Sequence, residues 1–166
     1  MSEPPLVRVA RFLEHTMAEG PGERTAIWVQ GCTIRCAGCF NPHLFTAHGG
    51  TPTTPAELIA RALAADTTGV TLLGGEPFEQ AAGLAVVAAG VRRAGRSVMT
   101  FTGYEYADLR RLADSRTDIA ALLDATDLLV AGPFQRELVD HDRPWVGRPI
   151  NSSSASANGS TMSRSL

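Results

Sequence analysis

The sequence predicts an α/β domain built on a mostly parallel sheet. Short apolar runs rich in β-branched residues alternate with amphipathic stretches of helix length, the pattern of βαβ units. Several of these runs break into glycine, at Gly31, Gly74-Gly75, Gly103 and Gly132. With 166 residues, 44% of them hydrophobic, the chain is long enough to bury a single core.

Residues 6–12 (LVRVARF) alternate partly between apolar and polar side chains and read as a strand. Gly20-Pro21-Gly22 then turns the chain into residues 25–31 (TAIWVQG), a second strand that ends on Gly31. Residues 41–53, rich in Pro, Gly, His and Thr, are expected to form a loop. A helix follows over TPAELIARALA. Thr54 is a fitting N-cap, Pro55 takes the first helical position and Glu57 completes a capping box. Residues 69–77 make a strand that breaks at the double glycine, and residues 79–94 a helix with Leu84, Val87 and Val91 on one face. Residues 97–104 are the next strand, followed by helical turns at 106–112 and 119–123 and a last strand at 127–134. Parallel sheets bind ligands beyond the carboxyl ends of their strands. Gly31-Cys32, Gly74-Gly75-Glu76 and Thr102-Gly103-Tyr104 are therefore expected along one edge.

The formal net charge of -2 and pI near 6.1 give no general attraction to nucleic acid or anionic membranes. All fifteen basic residues are arginine, which excludes catalytic-lysine chemistry. No run approaches the roughly 20 apolar residues of a membrane span. The N-terminus lacks a basic region followed by an apolar stretch, so the expectation is a cytoplasmic protein.

Cys32, Cys36 and Cys39 fall within eight residues, and there is no fourth cysteine. An odd, clustered set is a poor disulfide framework. Three thiolates could serve a zinc ion, with His43 or His48 as the last ligand. They could equally hold an iron–sulfur cluster. A four-iron cluster usually takes four cysteines, so three leave one iron open to an exogenous ligand. Farther along, Gly74 and Gly75 let backbone approach a ligand closely, and Glu76 adds an acceptor suited to an ammonium group.

The spacing C-x3-C-x2-C resembles the signature of radical S-adenosylmethionine (SAM) enzymes, and LLGGEP resembles that superfamily's GGE motif. In order and approximate spacing, QGCTIRCAGCFN, GGEP, TGY, DLLVAGPF and RPWVG resemble the anaerobic ribonucleoside-triphosphate reductase activating proteins, over residues 26–147. The resemblance implies a shortened partial (β/α) barrel of radical SAM type. It implies a [4Fe-4S] cluster held by Cys32, Cys36 and Cys39, with SAM chelating the open iron. Gly38, Cys39, Phe40, Gly74, Gly75, Glu76 and Thr102 would contact SAM, and Phe40 would also shield the cluster. The implied activity is that of a glycyl radical enzyme activase. A one-electron donor such as flavodoxin or ferredoxin reduces the cluster, and SAM is cleaved to methionine and a 5'-deoxyadenosyl radical. That radical takes hydrogen from a glycine of the partner, an anaerobic ribonucleotide reductase. No side chain is assigned a catalytic acid or base role. Two rival readings are a radical SAM enzyme acting directly on a small molecule or peptide, and a non-catalytic iron–sulfur or zinc module.

The character of the chain changes after Gly147. Residues 148–166 are Ser-rich, with few large apolar residues, and are expected to be a disordered tail after a functional domain at 1–147. Residues 147–151 can be encoded by a stretch that, read from the third base, gives Ser-Pro-Asn-Gln. That resembles the family's continuation, so a shifted reading frame near Gly147 is the accompanying expectation.

Overall fold

The structure, a computed structural model, describes residues 2–133. The expected tail at 148–166, the domain boundary at 147, the RPWVG stretch and Phe134 lie outside the described residues.

The six strands are β1 (Val7–Thr16), β2 (Arg24–Val29), β3 (Thr51–Thr53), β4 (Gly69–Gly74), β5 (Ser97–Thr102) and β6 (Leu128–Ala131). They form one sheet in the order β3-β1-β2-β4-β5-β6. β2, β4, β5 and β6 run parallel, whereas β1 is antiparallel to both neighbours. Helices α1 (Pro55–Ala64), α2 (Ala81–Arg93), α3 (Tyr106–Ala113) and α4 (Thr117–Asp124) connect the parallel strands. The expected mixed α/β architecture with a mostly parallel sheet is what the chain adopts.

The α1 cap forms as its sequence requires, with the Thr54 side chain accepting from the Glu57 N–H at 3.1 Å. Other boundaries differ. The expected loop at 41–53 holds a 3-10 turn, Pro42–Leu44, and the short strand β3. Pro52 hides that strand from a propensity reading, but β3 is an edge strand, where a missing N–H is tolerated. β1 runs on to Thr16 because its pairing with β2 continues through two register irregularities. These carry it past Glu14 and His15, where alternation fails. α2 starts at Ala81 rather than 79, after a 3-10 turn over Pro77–Gln80.

The helices cover one face of the sheet, burying Ile27, Val29, Leu72, Leu84, Val87, Val91, Leu109 and Leu122. Each such side chain contributes about 1.5–3 kcal/mol relative to exposure. Ala26, Trp28, Leu44 and Leu73 form a smaller cluster, with the Arg11 guanidinium 4.9 Å from the Trp28 ring centre.

Arg24 fastens the amino ends of three strands and is only 1% exposed. Its Nε donates to Thr71 Oγ1 at 2.8 Å, Nη1 to Ser97 Oγ at 2.9 Å, and Nη2 to the Val70 and Ser97 carbonyls at 2.9 and 3.2 Å. Burial lowers its pKa to about 10, so the side chain is still a cation at neutral pH. All of these acceptors are neutral. Nothing in the sequence singled Arg24 out, because its partners lie 46 to 73 residues away.

Candidate metal and cofactor site

Because β2, β4, β5 and β6 are parallel, the segments that follow them emerge at one edge. The structure brings together there Gly31-Cys32, Gly74-Gly75-Glu76, Thr102-Gly103-Tyr104 and Gly132. Backbone bonds lock these segments to one another. Gly75 N–H donates to the Val29 carbonyl and Glu76 N–H to the Gly31 carbonyl, both at 2.8 Å. Gly132 N–H donates to the Thr102 and Tyr104 carbonyls at 3.1 and 2.8 Å.

The double glycine is required by the protein's own chain. A Cβ on Gly75 would lie 2.2 Å from the Gly31 carbonyl oxygen. One on Gly74, which has φ +104°, would lie 2.7 Å from the Val29 nitrogen. The close approach expected of a ligand is thus made by β2 and its exit. Gly103 is less constrained, since a Cβ there would meet only the end of the Ile34 side chain of the cysteine loop, at 2.8 Å.

That loop leaves β2 through Gly31 N–H to the Leu44 carbonyl at 2.9 Å and Cys32 N–H to the Phe45 carbonyl at 3.2 Å. Gln30 Nε2 holds the returning segment by donating to the Thr46 carbonyl at 2.8 Å. Cys39 N–H donates to the Cys36 carbonyl, and the Asn41 N–H lies 3.4 Å from Cys39 Sγ. Gly38 has φ +70°, a conformation that favours glycine. The three cysteines are half-buried and none is in a disulfide. Burial pushes the Cys32 thiol up, opposed by the backbone N–H groups of Arg35 and Ile34. Phe40 is 71% exposed.

Glu76, expected as an acceptor for an ammonium group, is also a link within the protein. It is 1% exposed and both of its oxygens are engaged within the protein. Oε1 accepts from the Phe78 N–H at 3.0 Å and the Thr102 hydroxyl at 2.8 Å, and Oε2 accepts from the Gly103 N–H at 2.8 Å. Thr102 likewise spends its hydroxyl on Glu76 and accepts from the Tyr104 N–H. Together these two side chains tie the exit of β4 to that of β5.

Burial pushes the Glu76 carboxyl from 4.5 up to about 7, against the pull of its hydrogen-bond donors. The folded state therefore binds the proton more tightly than the unfolded chain. This contribution to stability is complete below pH 4.5 and is lost as pH rises through 7, on the order of 3 kcal/mol in all. In Glu76→Gln the difference from wild type should fall across that window in urea titrations, on top of a constant cost of about 1–3 kcal/mol for an amide facing a backbone donor. A pH-independent difference would contradict this assignment.

Two residues of the edge carry no sequence signal. Glu79 Oε1 accepts from the Thr33 N–H at 2.9 Å and from the Thr33 hydroxyl. Gln80 exchanges bonds with the Arg8 backbone (N–H to Oε1 at 2.7 Å, Nε2 to the carbonyl at 3.2 Å) and donates to the Gln30 carbonyl at 2.9 Å. A polar residue one turn beyond GGEP looks like a solvated helix face until its partners are known.

Three thiols in one loop, with no fourth cysteine in the chain, are a donor set that a four-iron cluster with one open iron could use. Among the described residues, no three His, Cys, Asp or Glu groups are gathered closely enough to hold one metal ion, and His43 and His48 are exposed. In a cubane each thiolate binds a different iron, so the sulfurs stand farther apart than around a single zinc.

The family model described as a 4Fe-4S single cluster domain matches residues 18–151. The anaerobic ribonucleoside-triphosphate reductase-activating protein of Vibrio cholerae is 32% identical over 141 residues, covering 79% of this chain and 86% of its own. The chain belongs to this family. Another member, from Enterobacteria phage T4, is 28% identical over 127 residues, covering 72% of this chain and 76% of its own. The pyruvate formate-lyase-activating enzyme of Clostridium pasteurianum is 37% identical over 70 residues, 39% of this chain and 29% of that enzyme. In this reductase-activating-family chain, the cysteine loop and the double glycine lie along one strand edge.

Proposed function

We propose that this chain is a radical SAM activase that forms a glycyl radical on a partner enzyme, an anaerobic ribonucleoside-triphosphate reductase. The observation that carries the reading is the three-cysteine loop, with no fourth cysteine, beside the double glycine in a chain of this family. Cys32, Cys36 and Cys39 would hold a [4Fe-4S] cluster, and Gly38, Cys39, Phe40, Gly74, Gly75, Glu76 and Thr102 would border SAM. Bound there, the cluster and SAM supply the one-electron chemistry that ends in hydrogen abstraction from a glycine Cα. The chain's own residues set the stage. Gly31, Gly74 and Gly75 let the exits of β2 and β4 pack closely against each other. Glu76 and Thr102 fix the shape of the β4 and β5 exits through their shared hydrogen bonds. Phe40, next to Cys39 and 71% exposed, would border the cluster and shield it from water.

The electron would come from flavodoxin or ferredoxin in the cytoplasm, and residues 1–147 would be the functional domain. Among the described residues, no helix is long and apolar enough to cross a membrane. Anaerobic reconstitution tests the reading. The chain should take up about four irons in one cluster, cleave SAM under reduction, and give a carbon-centred radical signal only when the reductase is present. Stoichiometric zinc without iron uptake would overturn it. SAM cleavage driven by a small molecule or peptide, with no radical on the reductase, would move the chain to direct substrate chemistry.

A further inference from the structure

The five residues after the double glycine, Glu76 to Gln80, send three polar side chains to three different places. Glu76 ends on the β5 exit, Gln80 on β1 and the β2 exit, and Glu79 on the cysteine loop. Of the three, Glu79 is the one that reaches the thiol-bearing segment. Its carboxylate takes both donors of Thr33, the residue directly after Cys32, and bonds to an ionised acceptor are stronger than neutral ones. From the other side, Ile34 packs on Gly103. The start of the loop is thus held between the 3-10 turn after β4 and the exit of β5.

We propose that Glu79 is the positioning residue of the cysteine loop. It holds Thr33, and through it Cys32, beside Gly74-Gly75 before any metal arrives, and it sets a fixed negative charge next to the thiols. That the loop then receives a [4Fe-4S] cluster rests on the function proposed above. Two consequences are separable. The hydrogen bonds order the metal-free loop, and the charge opposes addition of an electron to a cluster bound there, lowering its potential.

The test compares the full-length wild-type chain with Glu79→Ala and Glu79→Gln. In the metal-free proteins, exchange of the Thr33 amide should be at least tenfold faster in Glu79→Ala, with the amides of Leu72 and Val98 unchanged. Glu79→Gln keeps an acceptor oxygen and should restore most of the protection. Thr33→Val, which keeps the backbone donor, should also stay protected. After reconstitution, Glu79→Ala should take up iron more slowly. Glu79→Gln should load fully but show a more positive midpoint potential. Equal Thr33 exchange in wild type and Glu79→Ala, or no rescue by glutamine, overturns the positioning role. If Glu79→Ala does not fold, an unshifted potential in Glu79→Gln overturns the proposal instead. A wild-type chain that takes up no iron would refute the cluster reading, while the metal-free exchange comparison still decides the role of Glu79.

Discussion

Replacing any one of Cys32, Cys36 and Cys39 with alanine should abolish iron retention and reductive SAM cleavage, yet leave the fold almost untouched. The chain contains no spare thiol to take the vacated position, so two thiolates would remain for a cluster that needs three here. The side chains are only half-buried in a loop outside the sheet, so truncation should change stability by about 0.5 kcal/mol or less. The measurement pairs thermal unfolding of the metal-free variants with iron and sulfide content after reconstitution. A variant with a full cluster would remove that cysteine from the ligand set. A variant that fails to fold would mean the loop contributes to the core, contrary to its exposure.

Gly75→Val should be the most damaging single change at the strand edge. From the sequence alone, the expectation is retention of the cluster with loss of SAM binding. The structure changes that expectation. A Cβ 2.2 Å from the Gly31 carbonyl oxygen cannot be accommodated unless the exit of β2 moves, and Cys32 is the next residue. Two backbone bonds, Gly75 N–H to Val29 and Glu76 N–H to Gly31, would be strained together. Overpacking of this kind costs about 1–3 kcal/mol, and more where backbone meets backbone. Loss should therefore appear in the unfolding midpoint and in iron uptake as well as in SAM affinity. If Gly75→Val keeps its stability and its iron and loses only SAM, the glycine serves the ligand and the packing argument fails.

What the sequence disclosed and what it concealed divide along a physical line. Features written in neighbouring residues were legible. Thr54, Pro55 and Glu57 start α1, the buried stripe of α2 follows its helical spacing, and the glycine breaks put Cys32, Gly75 and Gly103 at parallel strand ends. Short elements held by tertiary pairing were not, as with β3 around Pro52 and the far half of β1. Polar side chains were the hardest to read. Glu76 looked like a ligand acceptor because its motif does, whereas its burial and three donors come from β5 and the turn that follows β4. Arg24, Glu79 and Gln80 resemble ordinary surface residues in one dimension. Only contacts across tens of residues give them roles.

The segment from Glu76 to Gln80 also bears on how the cofactors are met. Ordering a residue's backbone costs about 1–2 kcal/mol, and a ligand that must do this on arrival binds correspondingly more weakly. Here the exits of β2, β4 and β5 are fixed by the chain's own contacts, through Gln80, the two glycines and Glu76. The start of the cysteine loop is held as well, by Glu79 on Thr33 and by Ile34 against Gly103. A ligand seated on this edge would thus meet backbone already ordered by folding, and more of its contact energy would remain as affinity.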